Sequence, residues 1–243
     1  MAKKQVILFA FLVLSACFNL ADHNIWAVES PEEIEYQKGK ALLDEGKLDE
    51  ALNIFNNIKK GTAIDFKVKL AIIDTNIEQV RISKRNGDPT WKEKIYEPYL
   101  ALNAIYQANK TSPDIYLSYA MCYVVNNRIN KANKCIKKAF YYKPNYLKAY
   151  IVQGNVYLEA GRNKNKRILI KARKIFEKLL TQDNIDDRTK AMAHYKIGES
   201  YEHFMMRKIA NEKRREHWNK VISLSPESLW AKRAKAGLSS HGL

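Results

Sequence analysis

Glycine and proline are scarce in this 243-residue sequence, at nine and six, and cysteine is scarcer still, at three. So few turn-forming residues exclude a fold of many short strands, and no stretch alternates apolar and polar residues between turn pairs as a strand would. Three cysteines without a Cys-x-x-Cys spacing exclude a disulfide-rich scaffold. Histidine is equally thin: His23, His194, His203, His217 and His241 form no His-x-x-x-His pair, and none has a cysteine neighbour in sequence. No Gly-x-Gly-x-x-Gly, Gly-Lys-Ser/Thr or Gly-x-Ser-x-Gly occurs, so no phosphate loop or nucleophile elbow is available. An enzyme should show a nucleophile with its base, a metal-ligand spacing or a phosphate cradle. None is legible, and the expectation is no catalysis, no metal and no cofactor. What is abundant is tyrosine, lysine, alanine, leucine and isoleucine, which suits helices throughout and predicts an all-α chain.

The N-terminus has to be set apart before the fold is read. Lys3 and Lys4 precede an apolar run from Val6 to Ala16, with no charge until Asp22. That is a basic region and an apolar core of signal-peptide length, short of the ~20 apolar residues of a membrane span. The run closes on Leu14-Ser15-Ala16-Cys17, which resembles the bacterial lipobox, where small residues precede a cysteine that is acylated and becomes the mature N-terminus. The resemblance implies lipidation at Cys17; an ordinary secretory cleavage after Ala21 or Ala27 would discard that residue. Export is expected in either case, with residues 1–16 a signal peptide, 17–31 a tether, 32–238 a folded unit and 239–243 a tail. The chain carries 42 basic and 26 acidic side chains; loss of residues 1–16 leaves 40 and 26, a balance of +14. Such an excess draws acidic partners or anionic surfaces, and in an exported protein it is a poor argument for nucleic acid. Spacing leaves open whether Cys122 and Cys135 pair.

A search for internal periods is decisive. From Pro113 to Tyr146, Tyr116, Tyr119, Ala120 and Tyr123 mark one helical face, Asn126-Asn127 a turn, Ala132, Ile136 and Ala139 a second face, and Pro144 a stop. The order returns with Tyr150, Gly154, Tyr157 and Gly161, followed six residues late by Ala172, Phe176 and Leu179. It returns again with Ile197, Gly198, Tyr201, Trp218, Val221 and Pro226, and it precedes these with Gly39, Leu42, Gly46, Ala51, Phe55 and Ile58. Residues 66–108 read as a weaker hairpin: a helix over 66–83, a turn at Asn86-Gly87-Asp88-Pro89, and a helix over 91–107 kinked at Pro98. Residues 228–238 read as a capping helix.

This order of large, small and aromatic positions resembles the 34-residue tetratricopeptide repeat (TPR). The resemblance implies a right-handed superhelical solenoid of about five hairpins plus a C-terminal capping helix. It also implies that the first helix of each hairpin lines a concave groove where a partner protein binds. Carried onto this sequence, the groove positions are Tyr36, Lys40, Leu43, Leu117, Met121, Val124, Ile151, Asn155, Leu158, Tyr195, Glu199 and Glu202. Either Leu117, Met121 and Val124 form an exposed apolar floor, or a neighbouring helix or the chain's own N-terminal segment covers them. In the same register His194 takes a bulky packing position and His203 faces the groove.

Two basic stretches, with Arg162, Lys164, Lys166 and Arg167 in one and Lys213, Arg214 and Arg215 in the other, fall at the inserts. They read as solvated helix faces or as a docking patch for an anionic surface. The expected role is a protein-interaction adaptor on the periplasmic side of the outer membrane, tethered by lipid at Cys17, with acidic or membrane-embedded protein partners. The alternatives are a structural accessory subunit of an outer-membrane assembly, redox or transport complex, and a binder of anionic envelope polymers.

Overall fold

A computed structural model describes residues 29–162, 165–201, 207–240 and 242. The expected signal peptide, Cys17 and nearly all of the tether lie outside these residues, as do His23, Lys164, Glu202, His203 and His241. Among the described residues there is no strand, and no helix is long and apolar enough to cross a membrane.

Five hairpins follow one another. They are α1 (Pro31–Glu45) with α2 (Leu48–Asn57), α3 (Asp65–Arg85) with the broken pair α4 (Trp91–Lys94) and α5 (Tyr96–Tyr106), α6 (Pro113–Val125) with α7 (Ile129–Tyr142), α8 (Leu147–Gly161) with α9 (Lys166–Leu180), and α10 (Asp187–Glu199) with α11 (Arg207–Leu224). A last helix, α12 (Leu229–Ser240), lays Ala231 and Ala234 against Trp218 and Val221 and so caps the stack.

Local chemistry sets the helix ends. Ser30 caps α1 by accepting from the Glu33 N–H at 3.2 Å, Pro31 opens the first turn, and Glu32 and Glu33 oppose the positive end of the dipole. Gly46 ends that helix at φ 79°, a left-handed conformation that turns the Lys47 N–H back onto the Leu42 carbonyl at 2.9 Å. Asn127 is left-handed in the same way after α6, at φ 59°, its own N–H reaching the Val124 carbonyl at 2.9 Å, and Asn145 and Asn184, at φ 58°, take the left-handed turn in the loops before α8 and α10.

The second hairpin departs from expectation at one point. The break falls at Ile95, three residues before Pro98, because a proline ring displaces the carbonyl of the residue four positions earlier, here Lys94. The six-residue delay in the fourth hairpin is divided between a longer link and a longer helix. The link between α8 and α9 is longer, and α9 begins six residues before Ala172, whereas α2 and α7 begin three before Ala51 and Ala132.

The apolar side chains do not gather into a single core. One cluster joins α3, α5 and α6 through Ile77, Leu102, Ile115 and Cys122. A second joins α6, α7 and α8 through Ala120, Ile136 and Val156, and a third joins α8, α9 and α10 through Phe176, Leu179 and Ile197. Each hairpin thus buries its apolar sides only by leaning on the next, as a solenoid must.

Close approach within a hairpin depends on a small residue facing a large one. A Cβ on Gly39, Gly154 or Gly198 would lie 2.4 Å from the rings of Phe55, Phe176 and Trp218 respectively. The third hairpin reaches the same packing with Ala120 and the smaller Ile136, both fully buried.

Candidate functional site: the concave face

The first helices α3, α6, α8 and α10 line the inner face, but that face is not an open apolar floor. Leu117, Val124 and Leu158 are only 1, 3 and 4 % exposed. Leu117 packs in one apolar cluster with Val152 of α8 and shares a recess with Ile77 of α3. Leu117 and Val124 are thus covered, while Met121 is only half-buried, so the three do not form an exposed apolar floor. Met121 and Asn155 remain partly accessible in a recess shared with Leu158, and Ile151 is half-buried.

A belt of charge crosses the face instead. Arg81 on α3 donates to Glu78 at 2.6 Å and to Glu159 on α8 at 2.8 Å. Arg85 pairs with the same Glu159. Arg162 lies 3.2 Å from Glu159 and 3.4 Å from Glu199 on α10, and Lys196 reaches Glu199 at 2.6 Å. Seven side chains from the second, fourth and fifth hairpins are thereby joined, Arg81 and Glu159 across 78 positions of sequence. Burial works against the charge on Glu199, but the Lys196 ammonium outweighs it, with Arg162 and Arg85 adding, and holds the carboxyl down at about 2. Arg162, expected to protrude with the basic insert, is therefore a member of the inner belt. Arg214 is also turned inward, at 4 % exposure over the Trp218 ring, at the position held by Ala51, Ala132 and Ala172 in the other hairpins. Lys166 is half-buried, and Arg167, Lys213 and Arg215 are exposed, with Lys213 paired to Glu216 at 2.7 Å.

On one side of the belt lies a recess of roughly 360 Å³ containing Tyr36, Lys40 and Leu43. Lys148 stands between two carboxylates there, 2.8 Å from Asp114 and 3.7 Å from Asp74, while the Tyr146 hydroxyl donates to Asp114 at 2.8 Å and Ser118 donates to Asp74. On the other side Tyr195 stacks on Trp218 and lies against Trp230, at 5.8 and 5.4 Å between centroids. The curl is tight enough for the first hairpin to meet the last elements. Arg188 at the start of α10 lies 3.2 Å from Asp44, and a Cβ on Gly46 would sit 3.4 Å from a Leu229 methyl.

Two groups outside the groove bear on chemistry. Cys122 and Cys135 are free, and burial pushes the Cys135 thiol up to about 11 and raises Cys122 as well, so neither is a thiolate at neutral pH. His194 occupies its expected packing position, and its Nδ1 faces the Nδ1 of His217 at 3.0 Å, a pairing not legible in the sequence. Burial, the adjacent His194, Lys213 and Arg173 lower His217 to about 4 against the pull of Glu216. Its folded value lies below the unfolded value near 6.5, so its contribution to stability is complete above about pH 6.5 and lost as pH falls toward 4. Melting temperatures of the wild type are expected to drop across that window, and His217→Phe is expected to flatten the drop. Equal slopes for the two proteins would refute the assignment.

No family model and no curated protein matches the sequence. Among solved structures, a thermophilic TPR protein of Thermus thermophilus superposes with a TM-score of 0.60 at 15 % identity, over 85 % of this chain and 98 % of that one. The chain folds as a TPR solenoid. A second structure, from Bacteroides ovatus and described as protein-binding, aligns at a TM-score of 0.30 and 17 % identity over 86 % and 97 % of the two chains, too loosely to carry weight. A likeness at these identities speaks for the TPR fold alone, and the belt of the inner face is a property read from this chain's own residues.

Proposed function

We propose that this TPR solenoid is a protein-interaction scaffold of the bacterial cell envelope, exported by residues 1–16, held at the periplasmic side of the outer membrane by acylation of Cys17, and acting without catalysis of its own. The observation that carries the scaffold reading is the hairpin stack, which spreads side chains from several units over long continuous faces rather than converging them on one reacting point. The balance of +14 left after removal of residues 1–16 favours acidic partners. The internal belt favours a second reading within the same class, a structural subunit whose inner face is already filled and whose outer faces make the contacts.

Capture of the full-length protein from detergent-solubilised membranes tests both. One protein retained in fixed ratio at low and high salt supports the structural subunit. Several partners released by salt support the adaptor, and loss of all protein partners in favour of a salt-labile polyanion refutes the scaffold reading. The mass of the mature N-terminus tests the anchor separately: it should show a diacylglyceryl-modified Cys17, and a chain beginning beyond residue 17 removes the tether.

A further inference from the structure

The second hairpin leaves an opening that its neighbours do not. Its second helix is broken at Ile95 and short, and it leans on α6 without extending to α7. A groove of roughly 600 Å³ remains between α5, α6 and α7, on the side of α6 away from the concave face. Its floor is the aromatic face of α6, Tyr116, Tyr119 and Tyr123, and its α5 wall carries Tyr99 and Tyr106. The rings form a ladder: Tyr106 meets Tyr116 at 6.2 Å and Tyr119 at 6.0 Å, and Tyr99 meets Tyr119 at 5.8 Å and Tyr123 at 6.1 Å. The tyrosines thus fill only part of the space between the second and third hairpins. The opposite wall is basic. Lys131, Lys134 and Lys138 stand along one side of α7, all exposed. Lys131 lies over the Tyr123 ring at 5.7 Å and Lys138 over Tyr116 at 5.3 Å, and among the described residues none of the three has a carboxylate at ion-pair distance. No acidic side chain among the described residues lines the groove.

We infer that this tyrosine groove is a docking site for an extended acidic segment of a partner protein, with apolar side chains on the ring ladder and carboxylates on the α7 lysines. The inference rests on the scaffold reading and places its contact surface outside the concave face. Three observations fix the occupant. Along the floor Tyr119 and Tyr123 lie 6.3 Å apart, close to the roughly 6.6 Å between side chains two apart on an extended chain. From Tyr116 to Tyr123 the floor runs about 11 Å along α6, room for about three extended residues. The charge is of one sign and confined to one wall, so alternation of acidic and apolar residues, the pattern of an extended segment, satisfies both surfaces at once. Tyr116 and Tyr119, at 4 and 8 % exposure, make a rigid floor, and the half-buried Tyr99, Tyr106 and Tyr123 offer contact at small entropic cost. Tyr119 is fixed further by donating to Asn103 at 2.6 Å, and Tyr116 by donating to the Lys110 carbonyl at 2.7 Å.

The test is selection of a phage-displayed random dodecapeptide library on the full-length protein, with the charge-reversed variant Lys131→Glu/Lys134→Glu/Lys138→Glu as counter-screen. Expected winners alternate Asp or Glu with aromatic residues, Leu or Pro. They should bind the triple variant at least about tenfold more weakly, bind Gln107→Glu on the facing wall more weakly by a smaller factor, and lose affinity as salt rises. Absence of specific winners, winners without acids, or equal binding to wild type and both variants overturns the proposal. So does tighter binding of polyglutamate or of phosphatidylglycerol vesicles than of any selected peptide, which would assign the groove to a polyanion or a lipid surface. The lysines are exposed, so the triple variant should melt with the wild type; if it does not, the Gln107→Glu comparison decides. A protein partner from membranes that the triple variant still captures would leave the scaffold reading standing while refuting the groove.

Discussion

Replacing Gly154 with alanine is expected to lower the unfolding free energy by about 1–3 kcal/mol, and adding Phe176→Ile to the same chain is expected to restore most of the loss. The added methyl would sit 2.4 Å from the Phe176 ring, well inside contact distance, and the ring has nowhere to go because it is fully buried against Leu179 and Ile197. Alanine in place of a mid-helix glycine should by itself gain up to about 1 kcal/mol, so a net loss means that overlap has won over propensity. The single change Phe176→Ile should also destabilise, because a buried ring is traded for a smaller side chain and a void remains. The two losses should not add. Ala120 and Ile136 hold the corresponding positions of the third hairpin, which shows that this backbone spacing accepts an alanine once the facing side chain is small. A double-mutant cycle from urea unfolding should therefore report a favourable coupling of about 1 kcal/mol or more. Additive losses would mean that the facing of a small residue by a large one is not what sets the distance between the two helices of a hairpin.

That pairing is also the part of the fold most legible in the sequence. Gly39 with Phe55, Gly154 with Phe176 and Gly198 with Trp218 lie sixteen, twenty-two and twenty positions apart, and each difference from the first is the length of an insert. Periodicity therefore gave the hairpins, their order and the capping helix. It could not give the curvature. The belt forms only when α3, α8 and α10 are bent toward one another, and nothing in the neighbourhood of Arg81 or Glu159 announces a partner 78 positions away. Positions carried over from the repeat pattern placed Glu199 on the inner face; they also made Leu158 a groove position and left Leu117 open between exposed and covered, because the pattern does not fix how closely neighbouring helices approach. Arg162 and Arg214 were misplaced for a related reason. Read in a run of basic residues each looks solvated, whereas one is drawn in by Glu159 and Glu199 and the other lies over Trp218 at a position where the other hairpins carry alanine. The tyrosine groove was hidden differently: the aromatic positions of α6 were plain, but the room in front of them depends on how far α5 falls short of α7 after the break at Ile95.

Glu159→Gln is the change expected to disturb the molecule most. Glu159 is the shared acceptor of Arg81, Arg85 and Arg162, and its side chain is 16 % exposed. Neutralising it leaves three guanidiniums facing one another, with Glu78 and Glu199 at the two ends unable to reach them all. Removing one partner from a buried ionic cluster costs about 3–5 kcal/mol. The low end, about 3 kcal/mol, is expected because Arg85 and Arg162 keep 31 and 34 % of their side chains in solvent. The form of the response matters more than its size. The belt ties the second hairpin to the fourth and fifth without lying in any of the apolar clusters, so its loss should uncurl the solenoid before it unfolds any hairpin. Hydrogen exchange should quicken at the inner surface of α3, α8 and α10 while α7 and α9 keep their protection, and solution scattering should show a larger radius of gyration. The double change Arg81→Met/Glu159→Leu supplies the contrast. It replaces charge by apolar volume, so it should recover part of the stability but not the dimensions, since Arg85 and Arg162 would still lack their carboxylate. An unchanged radius in Glu159→Gln, together with a uniform loss of protection, would mean that the curl is set by helix packing alone and that the belt merely occupies the space it leaves.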